Sequence, residues 1–319
     1  MHRREFIKGS AILGVSLVTS RIVTASGLYH ADTQRRVHRI VKSKKVKVGT
    51  LPVIRAFAGN HLDYVSPYVL LDEFGPVTLE AGQDPLRVEA HPHAGVSPTT
   101  YFLEGTGHHK DSLNYDFQIE KGDFMMFNSG SGAIHMEESG QQLYDKGGAY
   151  HGFQIWLNIP SQYKMIDPTT TINRPTTQEK IETDQYTIQV VLGTLHNTTS
   201  NIELLTPAFY YHVKMKKDAR LDIPTDPTHN AFVYLVSGKL EVEGARTLDE
   251  HQIVLYERGE SSIKLYAQEA SEMLVLGGKP LNEVVYSYGP FVMNTKEQIV
   301  QCIKNYQSGK MGNPDVVNR

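Results

Sequence analysis

The sequence predicts an all-β protein: two antiparallel β-barrels of the jelly-roll type in tandem, followed by a short C-terminal α-helix. Three observations carry that expectation. First, β-branched and aromatic runs are closed by glycine turns, as in Thr99-Thr100-Tyr101-Phe102-Leu103 before Glu104-Gly105-Thr106-Gly107. Second, that strand-and-turn pattern returns at Ala231-Phe232-Val233-Tyr234-Leu235-Val236-Ser237-Gly238, followed by the alternation of Leu240 and Val242, which reads as an internal duplication. Third, His91 and His93, and later His135 and Glu137, stand two residues apart, so each pair points to one face of an extended strand. Two such strands converge only where a sheet curls on itself, as in a barrel.

The elements follow in chain order. Arg3-Arg4-Glu5-Phe6-Ile7-Lys8, a moderately apolar stretch over 11–18 and the small-residue pattern Val23-Thr24-Ala25 predict a twin-arginine signal peptide over 1–25, cut after Ala25. The expected destination is the periplasm or another exported location, reached by the folded chain through the twin-arginine translocase. That route lets a first-row ion be inserted before the tighter-binding copper or zinc outside can compete. The apolar stretch is too short to span a bilayer core of about 30 Å, so no permanent membrane anchor is expected. Residues 26–45 are polar and basic and read as a solvated lead-in. A first barrel is expected over 46–165, a Thr- and Pro-rich linker over 166–185, and a second barrel over 186–319. Near the end, Thr295 and Gln298 form a capping-box pattern ahead of the stripe Ile299, Cys302, Ile303 and Tyr306, and Gly309 marks where the helix stops.

Composition narrows the function. A formal charge of -3 offers no basic field for a nucleic-acid backbone, so no nucleic-acid partner is expected. Cys302 is the only cysteine, so a disulfide within the chain and a thiolate cluster are both excluded, and any metal must be held by nitrogen and oxygen. One His-x-His pair among 14 histidines is a weak signal. The joint arrangement is stronger. Pro92 stiffens the first pair, Gly95 lets the chain turn, and Gly122-Asp123 and Gly130-Ser131-Gly132 turns precede the second pair, giving a cage of three histidines and one carboxylate. His229 and His251 are isolated from other histidines and read as surface or turn residues. His108 and His109 follow a glycine turn and read as solvated. His151 either orients a ligand or lines the mouth, and Phe102 and Phe127 wall the cavity or pack the core.

Taken together, His91-Pro92-His93-Ala94-Gly95, Tyr101-Phe102-Leu103-Glu104-Gly105, Gly122-Asp123, Gly130-x-Gly132 with Ile134-His135-x-Glu137, and Gly289-Pro290-Phe291-Val292-Met293-Asn294-Thr295 resemble the pirin family, bicupins of the cupin superfamily. The resemblance implies two cupin barrels, with one mononuclear metal in the first and none in the second. By motif, the metal ligands would be His91, His93, His135 and Glu137. Fe2+ is the expected ion, with Mn, Ni, Cu, Co and Zn as alternatives. Four protein ligands leave about two of six positions open. The implied activity is that of a quercetin 2,3-dioxygenase acting on a flavonol or other enolisable phenolic with O2, Glu137 accepting the substrate proton. The alternatives are a non-catalytic exported metal- or ligand-binding bicupin with an envelope or redox-stress role, and a cupin isomerase or hydrolase. The chain is expected to be a monomer whose partners are the small-molecule substrate and O2. It departs from the family at three places: Ala94-Gly95-Val96-Ser97 replaces Arg-Gly-Phe-Glu, Met126 to Gly132 replaces Trp-Met-Thr-Ala-Gly-Arg-Gly, and Met136 replaces a small alanine. These departures are expected to alter the charge and shape of the pocket.

Overall fold

Period-two alternation of side chains between the two faces of each strand organises the computed structural model, which describes residues 34–58, 62–175 and 180–318. The expected signal peptide over 1–25 lies outside the described residues. The first half contributes β1 (Val37–Lys42), β2 (Lys44–Val48), β3 (Leu51–Phe57), β4 (Tyr68–Leu79), β5 (Arg87–His93) and β6 (Val96–Glu104). It continues with β7 (Gly107–Asp111), β8 (Asp116–Ile119), β9 (Phe124–Asn128), β10 (Ala133–Ser139), α1 (Gln141–Lys146), β11 (Gly148–Asn158) and β12 (Thr169–Asn173). The second half begins with β13 (Lys180–Glu182), β14 (Tyr186–Leu192), β15 (Thr194–Leu195), β16 (Thr198–Thr199), β17 (Ala208–Met215), β18 (Arg220–Pro224) and β19 (Asn230–Ser237). It ends with β20 (Leu240–Glu241), β21 (Thr247–Leu248), β22 (Gln252–Tyr256), β23 (Ser262–Ala267), β24 (Ser271–Gly278), β25 (Tyr286–Tyr288), β26 (Phe291–Met293), α2 (Lys296–Gln307) and α3 (Pro314–Val317).

The expected all-β tandem is the observed one. A seven-stranded sheet in the order β12-β9-β6-β11-β4-β3-β2 and a four-stranded sheet β5-β10-β7-β8 make the first barrel. The second repeats the plan with β1-β22-β19-β24-β17-β14-β13 and β18-β23-β20-β21. The two large sheets share one core, in which Leu71, Tyr101, Phe153 and Ile155 meet Tyr210, Phe232 and Leu274. Phe232 lies edge-on to Phe57 and Tyr68, with ring centroids 5.7 and 5.5 Å away. Glu73, fully buried at this junction, accepts hydrogen bonds from His151 of the first barrel and from His251 and Tyr234 of the second.

Three segments depart from the expected division. Part of the solvated lead-in is β1, which pairs with β22 of the second barrel and sends Val37 into its core. Just before it, Arg35 is fully buried, its guanidinium donating to Thr225 Oγ1 and to the carbonyls of Asp226, His229 and Glu257. A fork of fixed donors matched by carbonyls makes that burial tolerable. The expected linker also contains two strands: β12 extends the first barrel beside β9, and β13 edges the second beside β14. The C-terminal segment returns to the first barrel, where Ile299, Cys302, Met311 and Val317 pack on Ala94, Ile134 and Met136. Within it, α2 carries the expected capping box of Thr295 and Gln298.

Candidate metal centre

Alternation in the large sheet of the first barrel decides which side chains reach its interior. In β4, Leu70, Asp72 and Phe74 face the cavity, whereas Leu71 joins the core shared by the barrels and Glu73 faces the junction. In β6 and β11, Thr100, Phe102, Gln154 and Trp156 face inward, and Tyr101, Phe153 and Ile155 face the second barrel. The result is a cavity of about 700 Å³ with a largely apolar wall that includes Val53, Leu70, Phe74, Val88 and Ile119.

The floor of the cavity is built by β5 and β10. His135 lies opposite His91, and Ala133 opposite His93, so all three imidazoles project from one face. The next paired residues are Glu137 and Val88, which means that β5 uses three residues where β10 uses two. This bulge falls on Glu89 and Ala90 and frees their backbone groups from the ladder. Each finds a use: Glu89 O accepts from His91 Nδ1 at 2.7 Å, and Ala90 N donates to Asn318 Oδ1 at 2.9 Å. The first bond leaves His91 Nε2 as the ligand atom, and that atom lies 3.1 Å from His135 Nε2.

One ligand atom from each of His91, His93 and His135 lies within 4.8 Å of the other two. His93 and His135 are almost fully buried, and Nδ1 of each has no hydrogen-bond partner. Burial and the neighbouring imidazoles hold both well below the ordinary histidine value, and burial lowers His91 as well. All three rings are therefore neutral near pH 7, the form in which histidine binds a metal. Phe127 stacks on His135 at 4.6 Å, and Trp156 meets His93 edge-on at 4.8 Å. These contacts fix the ring planes. The donor set, its desolvation and its outer support fit a divalent first-row ion.

Glu137 stands differently. The structure groups it with His109 and His135 rather than with the three-histidine set. Its Oε1 accepts from Thr100 Oγ1 at 2.8 Å, and its Oε2 accepts from Gln154 Nε2 at 3.0 Å. Beside it on β7, His109 is fully buried, contrary to the expectation that it is solvated. The strand explains the difference: His109 and Asp111 point inward while His108 sits at the cavity rim, hydrogen bonded to Asp116 and Glu138. Burial would lower His109, but Asp111 and Glu137 beside it outweigh that effect and raise it. His109, Asp111, Thr100, Gln154 and Trp156 were not singled out from the sequence as part of the site.

Several other expectations change with the strand geometry. Met136 points out of the barrel into the cluster under the C-terminal segment, because its neighbours His135 and Glu137 point in. Ala94, Gly95, Val96 and Ser97 do not line the cavity; Gly95 O instead accepts from the buried Lys164 Nζ, which also bonds Asn158 Oδ1 and Val292 O. The residues now at 94–97 and at 136 therefore form no part of the pocket wall. His151 bonds Glu73 at the barrel junction and neither orients a ligand nor lines the mouth. His251, expected at the surface or in a turn, does stand in a turn and is partly exposed, and it bonds the same carboxylate.

Comparison with known proteins places these features. The family profile Pirin matches residues 50–157, and the profile Pirin C-terminal cupin domain matches residues 210–312. A pirin-like protein of Solanum lycopersicum is 30% identical over 282 residues, which span 87% of this chain and 93% of that protein. A solved structure of quercetin 2,3-dioxygenase from Acinetobacter baumannii matches with a TM-score of 0.85 and 26% identity, over 88% of this chain and 100% of that one. The bacterial pirin YhhW of Escherichia coli, solved in complex with nickel(II), matches in fold with a TM-score of 0.59 and 21% identity, over 76% of this chain and 98% of its own.

Proposed function

This chain belongs to the pirin family, and on that premise we propose that it is an exported, metal-dependent oxidoreductase of the quercetin 2,3-dioxygenase kind, opening an enolisable phenolic with O2. The observation that carries the reading is the convergence of His91, His93 and His135 at the floor of an apolar cavity, with the Glu137 carboxylate beside them. The name of the Acinetobacter structure supports the reaction class, and the nickel in YhhW supports a divalent ion in this family.

His91, His93 and His135 would hold the ion, with Glu137 as the fourth ligand, and Fe2+ is the one proposed. When bound, the metal supplies Lewis acidity toward a substrate hydroxyl and toward dioxygen. The remaining steps belong to the protein. Phe74, Phe102 and Trp156 offer flat apolar surface to an aromatic ring and keep water from the floor. Glu137 accepts the hydroxyl proton, and Thr100 and Gln154 hold its two oxygens so that it meets the substrate in one orientation. Arg55 is engaged at both ends of Asp72, at 2.7 and 2.6 Å, so the cavity wall offers this guanidinium already paired. A neutral phenol suits such a wall better than a phosphate or a polycarboxylate. Export by the twin-arginine route to the periplasm and a monomeric state are part of the proposal.

The test is oxygen uptake by the iron-loaded full chain with a panel of flavonols and other enolisable phenols. Uptake that depends on the substrate, on iron and on His93 supports the reading. A fully loaded protein that consumes no oxygen with any of them would reduce the site to a metal- or ligand-binding role.

A further inference from the structure

The inner face of the large sheet in the first barrel carries one polar row between two apolar ones. The pairing register places Arg55 of β3 opposite Asp72 of β4, Asp72 opposite Gln154 of β11, and Gln154 opposite Thr100 of β6. All four line the cavity. On one side the neighbouring row runs Val53, Phe74, Gly152, Phe102, and on the other Leu70 stands opposite Trp156. The polar row ends at the floor, where Thr100 and Gln154 hold Glu137.

Two atoms of this row have nothing to bond. Arg55 uses Nε and Nη2 on the two oxygens of Asp72, and its Nη1 has no hydrogen-bond partner among the described residues. Gln154 donates through Nε2 to Glu137 Oε2 and Thr100 Oγ1, and its Oε1 is buried without a partner. The Asp72 side chain is nearly buried, whereas that of Arg55 keeps 28% of its surface, so the guanidinium is the part a ligand meets. A pair that only joined β3 to β4 would need neither a place in the cavity wall nor a free amino group. Apolar partners such as Val53 and Phe74, one row away, join the same strands without desolvating two charges.

Arginine only donates and an ionised carboxylate only accepts, so together the pair presents both roles with its net charge cancelled. That is the complement of a neutral hydroxyl, which donates and accepts through one oxygen. Neighbouring strands lie about 4.8 Å apart, so Arg55, two strands from Gln154, stands up to roughly 10 Å along the row from the side chain that holds the proposed base. A single phenolic ring is too short to reach both ends, whereas two or three linked rings are long enough, and the apolar rows on either side accept their faces. We propose that Arg55 and Asp72 determine which phenolic the cavity takes. Arg55 Nη1 donates to, and Asp72 accepts from, a hydroxyl on a ring remote from the reacting one, while Gln154 Oε1 accepts a hydrogen bond from the substrate between them. The substrate class is then a polyphenol of linked rings that is hydroxylated at its far end. The inference rests on the phenolic reading of the cavity given above, and not on its metal or its oxygen chemistry.

The experiment is anaerobic equilibrium binding to the iron-loaded full chain, read as quenching of Trp156, the only tryptophan of the sequence, with absorption by the ligand corrected against free tryptophan. The probes are the parent flavonol, which carries only the reacting hydroxyl, and derivatives with one added hydroxyl on either outer ring. One of these derivatives is expected to bind about 10- to 100-fold more tightly than the parent, the worth of a hydrogen bond to a charged group. In the double variant Arg55→Met/Asp72→Leu, which removes both charges and keeps an apolar wall, that preference is expected to fall to about one while the parent still binds. If the double variant does not fold, Arg55→Lys carries the same test, because it keeps a cation beside Asp72 and loses the guanidinium fork. A wild-type chain that binds parent and derivatives alike overturns the proposal, as does a folded variant that keeps the preference. Binding of none of these phenolics would overturn this inference together with the phenolic reading of the cavity. The expected preference without oxygen uptake would sink the dioxygenase reading alone, whereas oxygen uptake without any preference would sink this inference alone.

Discussion

The two barrels share a plan and differ in what fills them. The second is packed between its sheets by Val190, Val213, Ile223, Val233, Leu235, Leu240 and Val275 among a larger set of buried apolar residues. The equivalent space in the first is divided between a smaller apolar cluster, including Phe74, Phe102 and Phe127, and the imidazoles and carboxylates of the site. Opening a barrel for chemistry removes side chains that would otherwise hold its sheets together. The shared core recovers part of that loss, since Tyr68, Tyr101, Phe153 and Leu157 of the open barrel are buried against Tyr210, Phe232, Tyr234 and Leu276 of the filled one. The second barrel, on this view, is the foundation on which the first can afford a polar interior.

Breaking the comparison at its sharpest point means removing a ligand. His93→Ala is expected to lower metal affinity by more than about 100-fold, since even losing an outer partner of a ligand costs on the order of 10- to 100-fold. Competition with a chromophoric chelator measures the change. A paired test comes next. Phe127→Ala in the first barrel and Leu235→Ala in the second are each expected to cost about 2–5 kcal/mol, read by denaturant unfolding. Only Phe127→Ala should also weaken metal binding, because only that ring stacks on His135. Equal effects of the two variants on metal affinity would mean that the division of labour is wrong.

A smaller effect concerns orientation. Thr100→Val removes the donor to Glu137 Oε1 and is expected to lower kcat by about 10- to 100-fold while leaving the stability of the fold nearly unchanged. Turnover of the proposed reaction and thermal unfolding, measured on the same sample, separate the two. The smallest expected effect lies at the junction. Burial raises Glu73, but bonds from His151, His251 and Tyr234 outweigh it and lower the carboxyl below its ordinary 4.5, so its contribution is present above that value and lost on acidification. Glu73 lifts His251 above its ordinary 6.5, so that contribution is complete below 6.5 and is lost as pH rises through the raised value. The thermal midpoint of His251→Gln should therefore trail wild type most between about pH 4.5 and 6.5, and the gap should narrow at alkaline pH. A gap that stays constant from that range up to alkaline pH would show that the histidine acts there without its charge.

Much of this was legible in the sequence, and the gaps have physical reasons. His91, His93 and His135 could be found because spacing of two on a strand is a local property, independent of the partner strand. The same spacing at His109 and Asp111 was available and was obscured by the glycine turn just before it, which made the histidines look solvated. Applying the alternation rule to the Gly107–Asp111 strand would have separated the inward pair from the outward one. The position of β1 was not legible, because Val37–Lys42 carries basic residues and its partner strand, β22, lies in the other half of the chain. The bulge at Glu89 and Ala90 was hidden for a similar reason, since only the register against β10 reveals it. The effect of Met136 was misjudged because a residue next to a ligand in sequence points to the opposite face of the sheet.

The most direct test of the account is a crystal structure of the full chain loaded with iron or cobalt, with anomalous scattering recorded at the absorption edge of the metal. The account predicts a peak bonded to His91, His93 and His135 in the first barrel and none inside the second. A peak elsewhere, with those three imidazoles unligated, would contradict it.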